Sequence, residues 1–94
     1  MYNYFMICGN VKSVKGNVLT VTSTREFANA DGTRITDEFK FKLFGALASD
    51  MVKDQFEVGM PLGVKGRVEP SSDKYILIAE RFIFPHDLRQ MANE

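Results

Sequence analysis

The stretch Thr24-Arg-Glu-Phe-Ala-Asn-Ala-Asp-Gly-Thr-Arg-Ile-Thr-Asp-Glu-Phe-Lys-Phe-Lys-Leu-Phe-Gly-Ala-Leu-Ala48 decides how this chain folds. It begins at a strand end and passes through Asn29-Ala-Asp-Gly32, a turn signal because Asp-Gly tolerates positive φ. An alternating strand follows over residues 33–44. Successive strand side chains point to opposite sides. Ile35, Phe39, Phe41 and Leu43 therefore share one face, and Arg34, Lys40, Lys42 and Phe44 share the other. The first set is expected in a core and the second in solvent. Gly45 then breaks the strand, and residues 46–56 have helical spacing, with Leu47 and Met51 on one side and Ala48, Val52 and Phe56 adjacent.

Outward from this segment the pattern is all-β. Residues 2–14 read as a first strand with Gly9 as a bulge or bend, and Lys15-Gly16-Asn17 as a tight turn. Residues 18–27 form a second strand, with Leu19 and Val21 inward and Thr20, Thr22 and Thr24 outward. Gly59 ends the helical segment. Residues 60–68 form a fourth strand with Leu62, Val64 and Val68 inward, Pro70-Ser-Ser-Asp73 a turn, and residues 74–84 a fifth strand whose register is ambiguous around Ala79 to Arg81. Pro85 stops it, and residues 86–94 are a polar tail outside the 1–85 domain. Three strands, a short helix and two strands are the order of an OB-fold, a five-stranded Greek-key barrel. An SH3-like barrel is the rival, disfavoured by the helix and the long third strand.

Ninety-four residues suffice for one small core. No apolar run reaches the roughly 18 residues of a membrane span, so no membrane association is expected. Residues 2–8 lack the basic leader and cleavage site of a signal peptide. The single Cys8 cannot form an internal disulfide, which suits a reducing cytoplasm. Twelve basic residues balance twelve acidic ones, so the total charge does not attract a polyanion. The distribution does: Lys12 and Lys15, and Lys65 and Arg67, stand in stretches without acids, while Asp50, Asp54 and Glu57 gather around Lys53. Charges separated by more than about 10 Å are largely screened, so a local basic face can act on a neutral protein.

Cations beside an aromatic ring on one strand face suit single-stranded nucleic acid, the charges meeting phosphates and the ring meeting bases. No chemistry competes strongly. His86-Asp87 has no accompanying nucleophile, a lone His and a lone Cys cannot furnish a structural zinc site, and no Walker loop is present. Gly63-Val-Lys-Gly66 imitates a KH-domain GXXG clamp, but it lies in a strand rather than between helices. No enzyme, cofactor or metal is expected.

The chain resembles the bacterial and phage single-stranded DNA-binding proteins. Asn3, Met6-Ile7 and Gly9-Asn-Val11 look like that family's opening strand, and Arg25-Glu-Phe-Ala-Asn-Ala-Asp-Gly32 is similar to its second loop. Phe41-Lys-Leu-Phe-Gly-Ala-Leu-Ala48 looks like its third-strand end and helix start, and Val58-Gly-Met-Pro-Leu-Gly-Val-Lys-Gly-Arg-Val68 like its fourth strand. The resemblance spans residues 3–84 and implies sequence-independent binding of single-stranded DNA in replication, recombination or repair. It also implies a homodimer or homotetramer, and the apolar Tyr4, Phe5, Met6 and Ile7 are expected to pair in part with another copy. It places a base-stacking ring at Phe44.

Three departures stand out. Glu38 occupies a position where the family often carries a stacking aromatic, both hairpin tips are short, and Arg89-Gln-Met-Ala-Asn-Glu94 is not the family's acidic tail. The last implies no tail-mediated recruitment of partners and a phage, plasmid or otherwise divergent member. The candidate contacts are Phe44, Phe27 and Tyr75 for bases and Arg25, Arg34, Lys40, Lys42, Lys12, Arg67 and Lys74 for phosphates. A protein-interaction module of a primosome or recombination complex, and an RNA binder of the cold-shock kind, are the alternatives.

Overall fold

Alternation of apolar and polar residues produces five strands, and their shared apolar side closes them into a barrel. A computed structural model of the chain describes residues 3–24 and 29–85. The strands are β1 (Phe5–Lys15), β2 (Val18–Thr24), β3 (Thr36–Lys42), β4 (Pro61–Ser71) and β5 (Lys74–Ile83). A 3₁₀ turn (Gly45–Ala48) and one α-helical turn, α1 (Asp50–Lys53), lie between β3 and β4. Around the closed barrel the order is β1-β2-β3-β5-β4. β3 and β5 run parallel, and every other pair is antiparallel. This is an OB-fold.

Closure depends on β1 serving two neighbours. Phe5 to Asn10 pair with β4, and Asn10 to Lys15 pair with β2. Gly9 lies where the strand changes partner, and a Cβ there would stand 2.1 Å from the carbonyl oxygen of Thr22. The expected bulge falls elsewhere, between Val11 and Ser13, so the absent side chain of Gly9 allows close approach instead. A second irregularity, between Lys65 and Gly66, leaves Glu80 as an extra residue in β5. That is where the register of the fifth strand is ambiguous in sequence.

The core consists of Val11, Leu19, Val21, Phe41, Leu43, Leu62, Val64 and Ala79, with Ile78 and Ile83 also buried. Phe5 stacks on Phe41 at 5.4 Å, while Phe56, Phe82 and Phe84 form a second aromatic group. Each buried aliphatic or aromatic side chain contributes ~1.5–3 kcal/mol. The inward set Leu19, Val21, Phe41, Leu43, Leu62 and Val64 is buried as the alternation predicts.

Four local expectations are corrected. β3 begins at Thr36, so Ile35 lies before the pleat and is 39% exposed rather than in the core. The predicted helix over residues 46–56 is two short turns, because Ser49 is extended and caps α1, accepting from the Val52 N–H at 3.4 Å. Met51 consequently faces solvent, 79% exposed. The turn placed at Pro70–Asp73 shrinks to Ser72 and Asp73, because β4 continues through Pro70 to Ser71 and Ser72 takes φ 52°. Thr20 has outward parity yet is buried, paired in the sheet between Ser13 on β1 and Lys40 on β3. The readings at residues 25–27 and in the 86–94 tail fall outside the described residues.

Candidate nucleic-acid interface

β3 and β5 pair at Phe41–Leu77 and Lys42–Ile78. Before those points the two strands are not bonded to each other, and an open groove of about 500 Å³ lies between them. Its floor is apolar, formed by the half-buried Phe39, Ile76 and Leu77 over the fully buried Phe41. Lys40 and Lys42 line it from β3, and Tyr75 lines it from the β4–β5 hairpin. Tyr75 pairs through its backbone with Pro70, and the residue is 77% exposed. Lys74, at the first position of β5, is exposed beside it.

Two smaller depressions adjoin the groove. Lys42 and Val18 extend it into one lined also by Asn17, Leu43 and Phe44. Phe44 follows the strand in extended conformation, φ −130° and ψ 155°, and Gly45 then takes φ 59°. The backbone thus turns away before the ring can fold inward, and Phe44 stays 58% exposed. Leu43 is held by its N–H bond to the Asn17 carbonyl at 2.8 Å, which fastens this corner to the β1–β2 hairpin.

The other depression is lined by Lys12, Ser13, Lys15, Val18, Thr20, Glu38 and Lys40. Plain alternation would separate Lys12 from Lys15. The irregularity between Val11 and Ser13 shifts the pleat by one residue and leaves both exposed on the same rim. Lys15, counted in sequence with Lys12 as local basic charge but not among the candidate contacts, is therefore part of the basic surface.

Glu38 lines both the groove and this depression. It stands opposite Thr22 in the β2–β3 ladder, and its carboxylate forms an ion pair with the Lys12 ammonium on β1. The hydrogen bond and charge of Lys12, with a smaller share from Lys40, hold the Glu38 carboxyl below the ordinary glutamate value.

The remaining candidates are distributed differently. Arg67 engages Glu69 at 2.8 Å and Glu80 at 3.2 Å, and the Glu69 hydrogen bond raises its affinity for its proton. It lines neither the groove nor the depressions beside it. Arg34 is exposed in the segment before β3 rather than on the strand face. That segment is ordered by Asp31, whose carboxylate accepts from the Thr33 N–H at 3.0 Å and the Thr33 hydroxyl at 2.6 Å. These bonds lower its pKa. Arg25 and Phe27 lie outside the described residues. Lys40, Lys42, Phe44, Tyr75 and Lys12 are thus brought onto one continuous surface.

The architecture is that of the OB barrels, whose second and third strands and hairpin loops form the usual ligand face. By fold the chain is similar to the Plasmodium falciparum SSB in its complex with ssDNA, with TM-score 0.66, 15% identity and coverage of 89% of this chain and 95% of that one. It is similar to a small single-stranded DNA binding protein from Mycoplasma pneumoniae, with TM-score 0.64, 18% identity and coverage of 92% and 90%. The corresponding small protein from Streptomyces coelicolor gives TM-score 0.63, 17% identity and coverage of 89% and 95%. At these identities the likeness is one of backbone fold. No family model matches the sequence, and no curated protein sequence matches it.

Proposed function

We propose that this protein is a non-enzymatic binder of single-stranded DNA with little sequence preference. One observation carries the reading: an open groove with an apolar floor, lysines on one wall and an exposed tyrosine at its mouth, continuing to an exposed phenylalanine. Lysine ammonium groups attract phosphates without reading sequence. Exposed rings stack on any base, each worth ~1–3 kcal/mol. Duplex DNA offers no free base faces and is excluded. The three structural neighbours are themselves single-stranded DNA-binding proteins, which supports the same reading.

Oligomerisation belongs to this proposal. Tyr4 and Met6 are exposed apolar side chains at and just before the start of β1, and we infer that they meet a second copy. Joining several weak platforms raises affinity through effective concentration.

The test is an anisotropy titration of oligo-dT, matched duplex and oligo-U at two salt concentrations, alongside light-scattering mass. Salt-sensitive binding of oligo-dT, preferred over duplex and RNA, supports the proposal. Absence of oligo-dT binding at micromolar protein overturns it, and equal binding of oligo-U moves the assignment to RNA.

A further inference from the structure

A phosphate-binding surface is normally left open to its ligand, yet here a carboxylate already occupies one of its cations. Glu38 is the one acidic side chain among the described residues that line the groove and the depression beside it. It projects from β3, between Lys12 on β1 and Lys40, the next residue on the same strand face. Its ion pair with Lys12 spans β2, over the outward side of the β2–β3 ladder. Thr22, opposite Glu38, donates its hydroxyl to the Asn10 carbonyl at 3.3 Å and so leaves the carboxylate to the lysines.

A phosphate arriving at Lys12 meets a group of the same sign already in place. We propose that Glu38 is an intramolecular competitor for the strand: its carboxylate holds Lys12 when the surface is empty and must be displaced before a phosphate can take that ammonium. This rests on the single-strand reading above and adds a residue that limits both affinity and salt sensitivity.

The argument is one of ion exchange. When a free lysine meets a phosphate, the strand sheds condensed counterions, and the salt dependence steepens by about 0.7 per phosphate on a single strand. When the lysine must first leave Glu38, the liberated carboxylate recruits a cation from solution. The two movements oppose each other, and Lys12 then contributes little to either affinity or salt slope. Lys40 and Lys42 have no comparable acid bound across the groove: among its described lining residues, Glu38 is the sole carboxylate. Those two lysines supply the ordinary phosphate contacts, while Lys12 is a contact held in reserve.

The pair is exposed on both sides, so its rearrangement costs no buried charge and no repacking. Glu38→Gln keeps the side-chain shape and removes the charge. Oligo-dT binding is measured over a salt series for wild type, Glu38→Gln, Lys12→Gln and the double variant, with thermal melts to verify folding. Glu38→Gln is expected to bind about fivefold more tightly near 0.1 M salt, with a log–log slope steeper by about 0.7. Lys12→Gln alone leaves the Glu38 carboxylate without its partner and should bind no more tightly than wild type, and in the Glu38→Gln background it should cancel the gain.

Unchanged or weaker binding by folded Glu38→Gln, with an unaltered slope, overturns the competitor role while leaving the surface assignment intact. A gain that survives in the double variant overturns the exchange at Lys12. If neither wild type nor Glu38→Gln binds oligo-dT, the single-strand reading fails and the inference falls with it.

Discussion

Gly66 lies against the carbonyl of Ile78 so closely that a Cβ on Gly66 would stand 1.8 Å from that oxygen. The contact sits at the register irregularity of the β4–β5 ladder, where the two backbones approach around the extra residue Glu80. Gly63 is less confined, its Cβ position being 3.2 Å from the Cβ of Ile83. Overpacking a close-packed site costs ~1–3 kcal/mol, and more where backbone must move. Gly66→Ala is therefore expected to lose at least about 3 kcal/mol, and Gly63→Ala about 1 kcal/mol. Urea denaturation measures both; equal losses would show that the backbone yields freely at Gly66.

The lysines of the groove wall should act on binding and not on folding. Lys40 and Lys42 are exposed, and their cross-strand partners Thr20 and Val18 carry no charge. Reversing both to Glu should abolish tight oligo-dT binding. Replacing both by Gln should reduce the log–log salt slope by about 1.4, at 0.7 for each phosphate. Salt titration of the Gln variant is the check, with a far-UV spectrum matching wild type.

Phe44 and Phe41 make an informative contrast, since they lie three residues apart and differ in burial. Phe41 has no exposed surface and stacks on Phe5, so Phe41→Ala should cost ~3–5 kcal/mol of stability. Phe44→Ala should leave the melt almost unmoved and cost ~1–3 kcal/mol of oligonucleotide binding. Tyr75→Ala should behave like Phe44→Ala. Intact affinity in the Phe44, Tyr75 double Ala variant would remove both rings from the interface.

Acid should uncouple Glu38 from Lys12. The folded pKa of Glu38 is depressed by the Lys12 hydrogen bond and charge, so its contribution to stability is complete above the ordinary glutamate value. It is lost as pH falls through the lower folded value, where the carboxylate takes up its proton. The pair is solvent-exposed and the effect correspondingly small. Wild type should melt slightly above Glu38→Gln at neutral pH, and the gap should close in acid. A gap that widens on acidification would contradict the sign.

Much of the barrel was legible because burial of one strand face imposes a period of two. Leu19, Val21, Phe41, Leu43, Leu62 and Val64 declared themselves that way, and so did the outward Lys40 and Lys42. Failures gathered where the period breaks. Ile35 precedes the start of the pleat, Ser49 divides the helical segment, and the irregularity at Val11 and Ser13 carries Lys15 onto the basic rim.

The linear pattern by itself determined the succession of strands along the chain, most of the inward set and the pairing of cations with an aromatic ring, because these follow from alternation along single strands. Only the tertiary structure decided that Tyr75 joins Lys40 and Lys42 at one groove, that Arg67 turns to Glu69 and Glu80, and that Glu38 closes on Lys12. The first and last are meetings of strands far apart in the chain, while Arg67 finds one partner along β4 and the other across the β4–β5 hairpin. All three depend on the register of a closed sheet, and register depends on bulges and close glycine contacts that leave no periodic trace.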